Sequence, residues 1–76
     1  MDADGSKAAL EEELRQLEAD LADLRRTATE LRGQIGDSPG DAVDRSATIT
    51  AAEEQEALAD QLEARRDELL RRLGME

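Results

Sequence analysis

Leu10, Leu14, Leu17, Leu21, Leu24, Ala28, Leu31 and Ile35 are separated by four and three residues in strict alternation. That spacing puts all of them on one stripe of an α-helix with a seven-residue repeat. The period of two found in strands cannot generate it. The stretch 6–35 therefore reads as one long amphipathic helix. Ser6, just after Gly5 and ahead of the first apolar residues, is the expected N-cap. Residues 1–5 are expected to lie outside the helix as a disordered N-terminus.

The stripe ends among Gly33, Gly36 and the run Asp37-Ser38-Pro39-Gly40. Proline disfavours helix at the residue before it, and Ser-Pro-Gly is turn chemistry. Residues 36–44 read as an acidic turn. A second apolar series follows at Ala47, Ala51, Leu58, Leu62, Leu69 and Leu73. Ala47, Leu58 and Leu69 are eleven apart, and so are Ala51, Leu62 and Leu73, a period that is still helical. Residues 45–73 read as the second helix, with 74–76 as a tail. Gly74 suits a C-terminal stop, and Arg71 and Arg72 suit the negative end of the helix dipole.

The two stripes pair by reflection. Leu10 with Leu73, Leu14 with Leu69, and Leu21 with Leu62 are pairs whose numbers add to 83, and the midpoint falls inside the turn inferred from Gly and Pro. The expected fold class is all-α: an antiparallel two-helix coiled-coil hairpin of about 40 Å, from the rise of 1.5 Å per residue. Its expected core is Leu10, Leu14, Leu17, Leu21, Leu24, Leu31, Ile35, Leu58, Leu62, Leu69 and Leu73. Carried over to the charges, the same sum sets Glu11 by Arg72, Glu12 by Arg71, Arg15 by Glu68 and Glu18 by Arg65. It also sets two like-charged pairs, Glu30 with Glu53 and Asp23 with Asp60. Towards the turn, Ala28 faces Gln55, Leu31 faces Ala51 or Ala52, and Ile35 faces Ala47 or Thr48. Arg66 is expected to lie over Leu17, its stem on apolar surface and its head in water. A lone two-helix hairpin buries little for its length, so association into a four-helix bundle or support from a partner is expected.

Composition narrows the function. The chain has 76 residues, with no Phe, Trp, Tyr, Cys or His. Without His or Cys, and with a single Lys at the N-terminal end, there is no nucleophile–base pair and no thiolate or imidazole metal site. The expected chain is not an enzyme and carries no cofactor of its own. A net charge of −10 opposes direct binding to nucleic acid or to an anionic membrane surface. No apolar run is long enough to span a bilayer, and the acidic N-terminus does not resemble a secretory signal. The expected location is the cytoplasm.

The turn is the informative segment. Residues 36–56 hold the acids Asp37, Asp41, Asp44, Glu53, Glu54 and Glu56 against one base, Arg45. Asp41 is well placed as an N-cap and Asp44 for the first helical turn. Two Asp three apart also share a helix face and can offer oxygens to a divalent cation, provided a partner supplies further ligands.

The string Asp41-Ala42-Val43-Asp44-Arg45-Ser46-Ala47, at the bend of a helical hairpin, resembles the coiled-coil tip of the DksA/TraR family. Gly40-Asp41 with Asp44, followed by Ala51-Ala52-Glu53-Glu54-Gln55, is similar to the tip of the Gre transcript-cleavage factors. Ser46 departs from the Ala of the first pattern; Asp44 and Arg45 depart from the Glu and Asn of the second. The resemblance covers the hairpin alone, without the zinc-finger or β-rich domain those families add. It implies a bacterial transcription regulator that enters the secondary channel of RNA polymerase. Asp41 and Asp44 would then lie near the catalytic Mg²⁺, with Arg45, Ser46 and Ala47 completing the tip. The alternative reading is a small acidic coiled-coil interaction or homodimerisation module with no polymerase role, in which the leucine stripes carry the function.

Overall fold

The computed structural model describes residues 3–37 and 42–75. It contains two α-helices, α1 (Ala3–Asp37) and α2 (Ala42–Arg72), packed against each other as an antiparallel hairpin. The molecule is a rod of 58 × 19 × 14 Å.

α1 outruns its expected limits at both ends, and α2 begins earlier than expected but ends at Arg72, one residue short of the expected 73. α1 has 35 residues, and Ser6 lies inside it rather than at its start. Ala3, Asp4 and Gly5, expected to be disordered, are helical. Once a helix is docked, each added residue gains a hydrogen bond without a new nucleation cost. α1 also passes through Gly33 and Gly36, where each glycine costs about 1 kcal/mol relative to Ala but removes no hydrogen bond. At the other side of the bend, Ala42, Val43 and Asp44 already belong to α2. The turn expected at 36–44 is therefore shorter. Ser38, Pro39, Gly40 and Asp41 lie outside the described residues.

Along α1 the eight stripe positions from Leu10 to Ile35 are all buried or half-buried. On α2 the inward series is Thr48, Ala52, Gln55, Ala59, Leu62, Arg66, Leu69 and Leu73, again alternating by four and three. Paired in reverse order with the α1 stripe, each of the eight rungs adds to 83. The eleven-residue series is thus corrected. Ala52 (0% exposed) and Ala59 are buried, whereas Leu58 is 45% exposed and is not core. Ala47 is exposed as well. Leu58 stands one residue out of phase with Leu62, Leu69 and Leu73. The heptad is hard to see because Thr48, Gln55 and Arg66 occupy three of its positions.

The flank charges agree with this register. Let Leu14 and Leu17 be positions a and d of α1, and Leu73 and Leu69 a and d of α2. At e–e positions, Arg25 meets Glu63 at 2.7 Å and Arg32 meets Glu56 at 2.7 Å. At g–g, Glu13 meets Arg65 at 2.7 Å. The e pairs add to 88 and the g pair to 78, so the two flanks bracket the core sum evenly.

The charge pairs carried over from the core sum do not form. Facing antiparallel helices bring e beside e and g beside g, whereas the core reflection sends e to g, across the seam. Glu18 accordingly bonds Arg66 at 3.1 Å, not Arg65. Arg15 pairs with Glu12 inside α1. Glu68 takes Arg65 at 3.0 Å and Arg72 at 2.9 Å inside α2. The like-charged pairs are equally harmless: Glu30, Glu53, Asp23 and Asp60 occupy outer positions, and Asp23 pairs with Arg26 in its own helix.

The hydrophobic cluster lies at the end remote from the bend. Leu14, Leu17 and Leu69 form its centre, with Leu10, Leu62, Leu70 and Leu73 packed against them. The stop expected at Gly74 follows the end of α2, and its φ of +72° is one that only glycine adopts cheaply. Gly74 N–H donates to the Arg71 carbonyl at 3.1 Å and Met75 N–H to the Leu70 carbonyl at 2.9 Å. This bond pattern is that of a Schellman stop.

Candidate functional site

The expected tip residues gather at the start of α2. Asp44 lies in its first turn, where a carboxylate complements the positive end of the helix dipole. Thr48 Oγ1 donates to the Asp44 carbonyl oxygen at 3.0 Å, tying the second turn to the first. Asp44, Arg45, Ser46 and Ala47 are all exposed, so the structure places four of the five tip residues together on an accessible end. The fifth, Asp41, is outside the described residues.

Val43 belongs with them. It is 76% exposed, an apolar side chain beside the tip acids that no core position absorbs. Its sequence signal was available: Val43 lies in neither apolar series.

One of the turn-end acids is neutralised by the fold. Arg32 donates to both carboxylate oxygens of Glu56, from Nε at 3.2 Å and from Nη2 at 2.7 Å. The hydrogen bond from Arg32 holds the Glu56 carboxyl below the usual glutamate range. The same bond raises Arg32, with Glu53 adding to the field around the guanidinium. Two parallel N–H···O bonds give this bridge a well-defined geometry.

Among the described residues no three His, Cys, Asp or Glu side chains come together in a way that could hold a metal ion. A shallow open groove lined by Glu18, Leu21, Ala22, Arg25 and Arg66 runs along the e side of the rod. Its charges are already paired, Arg66 with Glu18 and Arg25 with Glu63. Among the described residues no helix is long and apolar enough to cross a membrane. Comparison with family models, with curated proteins and with solved structures gives no match to this chain.

Proposed function

We propose that the hairpin is a bacterial transcription regulator that enters the secondary channel of RNA polymerase bend first. The observation that carries the reading is the placement of Asp44 through Ala47, all exposed, at one end of a rod only 19 × 14 Å across. A narrow rod with acids at its leading end suits a channel that leads to a bound divalent cation. Asp41 and Asp44 would add carboxylate oxygens to Mg²⁺ held by the polymerase, and the protein would act in the cytoplasm. The test compares wild type with an Asp41→Asn/Asp44→Asn double variant, in capture by purified bacterial RNA polymerase and in a transcription assay. The double variant should still be captured but lose its effect on transcription. No capture of the wild type, or an unchanged effect of the double variant, rejects the reading.

One observation favours the alternative, a coiled-coil association module. Leu58, 45% exposed, offers apolar surface on the side of the rod. In that reading Leu58→Asp abolishes partner capture or homodimerisation, and the Asp41/Asp44 double variant behaves as wild type.

A further inference from the structure

We infer that the hairpin opens from its bend end while the opposite end, built on Leu10, Leu14, Leu69 and Leu73, stays closed. The inference concerns the free protein and does not depend on the polymerase reading.

The rungs differ along the rod. Leu10–Leu73, Leu14–Leu69 and Leu21–Leu62 put leucine on leucine, and the hydrophobic cluster lies wholly among these residues and their neighbours. From Leu24 to the bend every rung has a small or polar member: Leu24–Ala59, Ala28–Gln55, Leu31–Ala52 and Ile35–Thr48. Ala28, Ala52 and Ala59 are buried, so the helices approach closely there, but an Ala–Gln or Leu–Ala rung removes much less apolar surface than Leu–Leu. The backbone entropy regained on opening is similar for each residue. Opening is therefore easier in the bend half. Holding the leucine end shut while the bend half separates only enlarges an internal loop, a penalty that grows logarithmically with its length.

Arg32 and Glu56 form the latch of this weak half. Their doubly hydrogen-bonded bridge ties the helices between the Ala28–Gln55 and Leu31–Ala52 rungs. The opening unit is bounded on the far side by Leu21–Leu62 and Arg25–Glu63. A protein so built has a compliant bend end on a rigid shaft.

Native-state amide hydrogen exchange on the full chain, corrected for intrinsic rates, tests this directly. Amides of 28–35 and 48–56 should be less protected than those of 14–21 and 62–69. Glu56→Gln should speed exchange in the first set by about two- to fivefold, the range open to an exposed ion pair, and leave the second set unchanged. Gln55→Leu should slow the first set alone. Equal protection in both halves of the wild type, or greater protection near the bend, overturns the inference. A Glu56→Gln variant that exchanges faster throughout overturns the latch.

Discussion

Arg66 occupies a core position opposite Leu17, yet its Nε reaches Glu18 Oε2 at 3.1 Å on the flank of the seam. Arg66 is half-buried, and a long side chain at such a position can keep its methylenes on apolar surface while its charge reaches the water. Replacing it with leucine would complete a run of four Leu–Leu rungs. Arg66→Leu should stabilise the hairpin by about 1 kcal/mol, because the added apolar burial outweighs an exposed bridge of little value. A chemical denaturation midpoint that falls, measured at matched protein concentration, would contradict the assignment of Arg66 to the core.

Ala52 and Leu58 provide the sharpest check on the phase of α2. Ala52 is fully buried and Leu58 is 45% exposed. Ala52→Leu should destabilise by about 1–3 kcal/mol, since the close helix approach has no room for three more carbons. Leu58→Ala should cost under about 1 kcal/mol. Thermal melts in which Leu58→Ala is the more damaging change would restore the eleven-residue stripe.

Two glycines should respond in opposite directions. A Cβ on Gly33 would meet nothing within 4 Å, and the position is a helix exterior. Gly33→Ala should stabilise by about 0.5–1 kcal/mol. Gly74 also has open space, but its φ is +72°. Gly74→Ala should cost about 1 kcal/mol through the backbone alone. Paired circular-dichroism melts of the two variants read both signs.

The Arg32–Glu56 bridge should give an acid-dependent term. Glu56 in the folded chain holds its proton less tightly than an ordinary glutamate. Its contribution is complete above the unfolded value of about 4.3 and is lost as pH falls through the lower folded value. Arg32→Gln should therefore lower the melting temperature at neutral pH, and the gap from wild type should close in acid once Glu56 is protonated in both. A gap that persists unchanged to pH 2 would assign the effect of Arg32 to packing instead.

The hairpin and its core sum were legible because the Leu10-to-Ile35 stripe and the Ser-Pro-Gly bend are independent signals that agree. The pairing of flank charges was misread for a geometric reason: one number describes the core of an antiparallel pair, but each flank needs its own. On α2, Leu62, Leu69 and Leu73 stand in the expected phase, but Leu58 drew the series one position away from Ala59 because it is larger and more apolar. Size attracts attention in a list of residues, while the packed seam follows phase. The exposed group from Asp44 to Ala47 was legible as an accessible end. The role of Arg32 was not, because its partner Glu56 is 24 positions away and only the folded register selects it from several nearby acids.

The side-by-side placement of Leu14 and Leu69 also governs how the molecule comes into being. During translation α1 leaves the ribosome with its leucine stripe uncovered, and no early-arriving segment can cover that stripe equally well. The best contacts wait for the last stretch of α2. A nascent chain halted anywhere before Leu69 should thus remain an open substrate for chaperones and proteases, and commitment to the hairpin waits until Leu69 has emerged.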